Sequence, residues 1–124
     1  MNSTLTSNEI INQFIHFYYT SINNKNLDNI LKFIQNHTEI IFESQIFKGL
    51  DNTYSYYKNL MTSTSNIKII DISKTSFAGR RCNIVVFGTI KVNDNEEKHF
   101  VESIIFQQGK KNIFWIHSSI FRFI

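Results

Sequence analysis

Residues 82–92 read CNIVVFGTIKV, residues 93–95 read NDN and residues 98–107 read KHFVESIIFQ, and these three pieces decide the fold. The first is rich in β-branched side chains, which suit a pleated, half-buried surface. Asn and Asp tolerate left-handed backbone, so Asn93, Asp94 and Asn95 form strong turn chemistry between two strands. Residues 112–123 continue as another strand beyond a loop around Gly109. On the other side, residues 67–73 alternate, with Ile67, Ile69 and Asp71 opposing Lys68, Ile70 and Ile72. Four long antiparallel strands are expected in this half.

Upstream the period is helical. Ile10, Ile11, Phe14, Ile15, Phe17 and Tyr18 recur at the spacing of one helix face. Ser7 reads as the N-cap, and Glu9 in the first turn complements the helix dipole. A shorter helix reads through Leu27, Ile30, Leu31, Phe33 and Ile34. The period then changes to two. Residues 38–44 carry Ile40 and Phe42 on one face and Glu39, Ile41 and Glu43 on the other, with 45–48 as a short partner before Gly49. Residues 51–61 read as a third helix holding Tyr54, Tyr57, Leu60 and Met61 on one side, and 62–66 as a polar loop. Helices segregated before a run of strands argue for an α+β fold, with the helices on one face of a curved sheet.

The chain has 124 residues, the size of one domain with one core. Twelve Phe and five Tyr exclude a disordered chain. A single Cys excludes a disulfide framework and any multi-cysteine zinc site. Thirteen basic against ten acidic residues leave +3, and the cations do not cluster, so nucleic-acid binding is not expected. No long uncharged apolar run predicts a membrane span. The first eight residues are polar and uncharged, which is no secretory signal, so a soluble intracellular protein is expected.

No catalytic set is legible. His16, His37, His99 and His117 are dispersed, without metal-ligand spacing. Cys82 beside Arg80 and Arg81 reads as a small core residue rather than a reactive thiol. Ser118, His117 and Ser119 lie in mid-strand, where a triad has no exposed nucleophile. Glu96 and Glu97 are adjacent carboxylates in an expected turn, where they are solvated. No glycine-rich phosphate loop is present, and no cofactor or metal is implied.

Four segments carry a resemblance along nearly the whole chain. FIHFYY at 14–19 resembles the first-helix signature of the nuclear transport factor 2 family, an aromatic followed by a Tyr-Tyr pair. FESQIFKG at 42–49 is similar to that family's hairpin before the third helix. GTIK at 88–91, the polar turn, Phe100 and IIF at 104–106 agree in spacing, and IFRF at 120–123 resembles its C-terminal motif. The resemblance implies an α+β cone, in which three N-terminal helices pack on a strongly bent antiparallel β-sheet that dimerises through its exposed face.

It also implies a non-enzymatic transport factor shared between cytoplasm and nucleus. That factor is a homodimer, binds GDP-bound Ran and Phe-Gly-repeat nucleoporins, and carries Ran through the nuclear pore. In the import branch the cone mouth takes an aromatic side chain of Ran. Phe42, Leu60 and Phe121 match its apolar lining, and Glu43 matches one of its acidic residues. Asp94 remains acidic in the turn where Asn93 and Asn95 replace acids. The first-helix Trp associated with Phe-Gly binding has no counterpart. One alternative is the small subunit of the mRNA export receptor, paired with a larger related chain. The other is a cone-fold dehydratase or isomerase, for which Asp71 and His117 are the candidates. Glu43 favours the import branch.

Overall fold

The structure, a computed structural model, describes residues 6–93 and 96–124. Helix α1 (Ser7–Asn23) begins one residue earlier than expected, because Thr6 and not Ser7 is the cap. The Thr6 hydroxyl accepts from the Glu9 N–H at 3.1 Å, and the Glu9 carboxylate accepts from the Thr6 N–H at 3.0 Å. This reciprocal box needs a spacing of three, and Ser7 stands only two from Glu9. Helix α2 (Leu27–Leu31) is shorter than its apolar series. The N–H groups of Phe33 and Ile34 bond three residues back, to Ile30 and Leu31, so the run ends in the tighter 3-10 spacing.

Helix α3 (Leu50–Ser63) runs into the segment expected to be loop. Its last carbonyls are satisfied from outside the helix. Lys25 Nζ donates to the carbonyls of Met61 and Thr64, and the Thr64 hydroxyl donates to that of Leu60. Thr53, Tyr56, Tyr57, Leu60 and Met61 form its buried side, and Tyr54 is exposed. The inward arc is centred between Tyr57 and Leu60, so Tyr56 lies within it and Tyr54 falls just beyond the opposite edge.

Six strands follow the α+β reading: β1 (Glu39–Phe42), β2 (Gln45–Lys48), β3 (Thr64–Lys74), β4 (Arg81–Val92), β5 (Glu96–Gln108) and β6 (Phe114–Phe123). They form one sheet in the order β2-β1-β6-β5-β4-β3. All neighbours are antiparallel except β1 and β6, which run parallel with Glu39 opposite Ser118 and Phe42 opposite Phe121. Glu96 and Glu97 are not in the turn but open β5, facing Val92 and Lys91. The β3–β4 register shifts between Ser65 and Lys68 and again between Ile69 and Asp71. Each shift breaks the simple alternation, so Ile67 is buried while Ile69 and Ile70 are both exposed.

The inward faces of the long strands meet the helices in one core. Ile84, Val86, Phe100, Ile104, Phe106 and Phe121 pack against Phe14, Ile15 and Tyr18 of α1 and Tyr57 of α3. Phe14 stacks on Phe106 with centroids 4.0 Å apart, and Phe100 on Phe121 at 4.9 Å. Cys82 is buried here, and burial pushes its thiol up to about 11, which keeps it protonated and unreactive.

Candidate functional site

A cavity of about 300 Å³ opens where the β1–β2 hairpin meets the end of α3, the position expected for a cone mouth. Period-two alternation brings Phe42 to it from β1, and the helical arc of α3 brings Tyr56 and Leu60. Phe47, Val92 and Phe123 complete its apolar wall, and Gln45, Asn59, Ser63 and Thr64 its polar rim. No carboxylate, imidazole or amine of the described residues lines it. Burial holds the Tyr56 phenol well above its ordinary pKa, so this group stays neutral.

The sequence-derived residues divide around this cavity. Phe42 and Leu60 line it. Phe121 does not; it lies behind Phe42, stacked on it at 5.1 Å and 18° and on Phe100 from the other side. Glu43 is not on the strand. It occupies the two-residue turn between Phe42 and Gln45 in left-handed backbone, φ 57°. Its carboxylate accepts from the Phe123 N–H at 2.9 Å, and its own N–H donates to the Phe121 carbonyl at 2.8 Å. Glu43 therefore ties the hairpin to the end of β6 at the rim. Asp94, like Asn95, lies outside the described residues; Asn93 is left-handed at φ 54°, as its turn role requires. Phe47 and Phe123 lie inside the FESQIFKG and IFRF motifs without being marked there as site residues, and Tyr56 lies in none of the motifs. Phe123 is nevertheless legible, since it shares parity with Phe121 on β6.

The largest omission is Glu102, 2% exposed on the inward face of β5. Its carboxyl receives the Tyr19 hydroxyl at 2.6 Å, the Ser119 hydroxyl at 2.6 Å and the Tyr18 hydroxyl at 3.2 Å. The Tyr57 hydroxyl then donates to Tyr18 at 2.7 Å, completing a chain from α3 through α1 to the sheet. Burial raises the Glu102 pKa, and the three hydrogen bonds pull it partly back. Parity with Phe100 and Ile104 marks this residue in the sequence. The network forms a polar core that joins α3, α1 and the sheet.

The enzyme candidates do not converge. Asp71 is exposed on edge strand β3, where its carboxylate accepts from the N–H of Ile72. His117 sits on β6 near His37, centroids 6.4 Å apart, and its pKa is lowered by burial and by the Arg81 charge. Neither residue lines the mouth cavity. Among the described residues, no group of three His, Cys, Asp or Glu is placed to hold a metal ion, and no helix is long and apolar enough to cross a membrane. The outer sheet face shows Val85, Phe87, Val101, Ile105 and Ile120, exposed or half-buried.

The fold is shared with several solved structures. Nuclear transport factor 2 (Ntf2) from Cryptosporidium parvum superposes with a TM-score of 0.83 at 17% identity, over 100% of this chain and 99% of that one. Yeast UBP3-associated protein BRE5 gives 0.81 at 18% identity, over 98% of each chain. A putative ketosteroid isomerase from Shewanella frigidimarina gives 0.78 at 8% identity, over 88% of this chain and 91% of that one. These likenesses show the fold, which carriers and enzymes share. No curated protein sequence matches the chain significantly. The family model of the nuclear transport factor 2 (NTF2) domain matches residues 10–123, and the chain belongs to that family.

Proposed function

We propose that this protein is a non-enzymatic transport factor that takes an aromatic side chain of a GDP-bound Ran-type GTPase into the mouth cavity. It would carry that partner between cytoplasm and nucleus, touching Phe-Gly-repeat nucleoporins on the way. The observation behind this reading is the mouth itself, an aromatic-walled cavity without an acid or base among the described residues of its wall. Such a cavity offers apolar burial, worth about 1.5–3 kcal/mol for one large side chain, and no means of moving a proton. Rim charges then set register and on-rate more than affinity. Glu43 supplies one such charge, exposed at the rim.

Pull-down with GDP- and GTP-loaded GTPase tests the reading. The GDP form should be retained, and Glu43→Lys should release it while the protein stays folded. Only an exposed hydrogen bond to Phe123 is lost, worth about 1 kcal/mol. Failure of the folded wild-type protein to retain either form would overturn the reading. One feature favours the export-subunit alternative. Lys98 lies 3.6 Å from Glu96 and 5.2 Å above the Phe123 ring, so the rim beside the cavity is partly neutralised. Co-purification of a larger NTF2-domain chain in place of Ran would select that alternative.

The apolar outer sheet face supports dimerisation in either reading, since a face of this kind is ordinarily covered. Sedimentation of the isolated chain should show a homodimer at micromolar concentration if it is an import factor. A stable monomer under those conditions counts against this.

A further inference from the structure

Positive charges that stand apart in the sequence meet at one end of the folded sheet. Arg80 and Arg81 stand where the chain enters β4, and Lys110 and Lys111 lie in the turn between β5 and β6. Antiparallel pairing of β4 with β5 lays the two places side by side. The Gln108 N–H donates to the Arg80 carbonyl at 2.7 Å, and Arg81 Nε donates to Gln107 Oε1 at 2.6 Å. All four cations are exposed, and none forms an ion pair with a described residue. Residues 72–93 and 103–124 contain no Asp or Glu, so neither turn brings an acid of its own. The positive field reaches His117, whose pKa is lowered by burial and then by the charges of Arg81 and His37, against the opposing pull of Glu39.

Turn chemistry does not call for these cations. Arg80 and Lys111 have left-handed backbone, φ 67° and 56°, where Gly, Asn or Asp fit at less cost. The second turn is also held in place. The Gly109 N–H donates to the Ile113 carbonyl at 2.6 Å, and the Trp115 ring lies so close to Gly109 that no Cβ fits there. A polyanion therefore meets like charges already gathered, whose mutual repulsion it relieves.

The surroundings choose among polyanions. Among the described residues, Tyr54 is the one aromatic that is largely exposed, and it stands on α3, so these turns offer bases nothing to stack on. Ile113 is the one large exposed aliphatic side chain in the two turns, too little apolar area to enter a bilayer. We propose that the paired turns bind an acidic polypeptide segment, a run of Asp and Glu, through Arg80, Arg81, Lys110 and Lys111. They lie beyond the Phe114 end of β6, and Phe123 at the mouth is about 30 Å away at strand rise. The surface is thus distinct from the mouth and does not depend on the transport reading.

Fluorescence anisotropy of a labelled decaglutamate peptide, titrated with the full chain at about 50 mM salt where screening is modest, tests it. Saturable binding that weakens as salt rises is expected. Lys110→Glu with Lys111→Glu should weaken it about tenfold. Lys58→Glu with Lys68→Glu makes the same change in net charge on exposed residues of α3 and β3, and should leave binding nearly unchanged. Lys110→Gln with Lys111→Asn removes the charges with a residue suited to left-handed backbone at 111. That variant should weaken binding about fivefold without lowering the melting temperature. The proposal is overturned if decaglutamate does not saturate, if the two glutamate pairs weaken binding equally, or if the folded Gln-Asn variant binds as the wild type does. Tighter binding of labelled decauridylate at the same salt would overturn the choice of a polypeptide, as would sedimentation with phosphatidylserine vesicles that persists in excess decaglutamate.

Discussion

Gly88→Ala is expected to destabilise the protein by about 3 kcal/mol, the upper part of the range for overpacked sites. A Cβ built on Gly88 would stand 2.2 Å from the carbonyl oxygen of Lys68 and 3.1 Å from the Phe100 ring. The first contact is with backbone, which cannot rotate away. It arises because the β3–β4 register shifts on both sides of this point, carrying the Lys68 carbonyl over the β4 position occupied by glycine. Strand β3 is an edge strand, so the strain should be relieved there, by parting of the β3–β4 ladder. A midpoint fall of roughly 10 °C is expected for a chain of this size, at about 3–5 °C per kcal/mol. Thermal unfolding measures it, and a melting temperature equal to the wild type would contradict the geometry.

Glu102→Ala should be the most damaging single change in the polar core, at about 4 kcal/mol. It leaves the hydroxyls of Tyr18, Tyr19 and Ser119 without their acceptor in a closed interior. Each buried unsatisfied group costs about 1–3 kcal/mol, and the lost side chain adds a void. Glu102→Gln separates charge from shape. The folded-state pKa of Glu102 lies above the ordinary value of 4.5, so the folded protein keeps a proton that the unfolded chain releases. The stabilisation tied to that proton is complete below pH 4.5 and is lost as pH rises towards the folded-state pKa. Gln is neutral throughout and lacks this loss. Urea denaturation should therefore show Glu102→Gln gaining stability relative to the wild type as pH rises above about 4.5. A difference independent of pH would mean that the carboxyl is not held protonated by burial.

Half of the mouth is legible in the sequence. Phe42 and Leu60 sit on elements whose period can be read locally, and both line the cavity. Phe121 comes to rest one layer deeper than a wall position, because parity identifies an inward face but not the depth a ring reaches. Glu43 falls within a period-two run, yet its backbone is left-handed in a turn that contains no glycine. That conformation depends on the hairpin being held by β6, through the bonds to Phe121 and Phe123. Residue preference within the turn carries no sign of it.

Element order, the inward parity of the long strands and the family are all written in the local sequence, because periodicity, turn chemistry and motif spacing act over a few residues. The same local reading places Cys82 in the core. The parallel pairing of β1 with β6, the shifts that make Gly88 necessary and the assembly of Tyr18, Tyr57, Ser119 and Glu102 around one carboxyl exist only in the folded chain. These contacts join residues far apart in the chain, up to 84 positions for Tyr18 and Glu102. A buried carboxyl is tolerable only when several such partners arrive together, since desolvation penalises it alone.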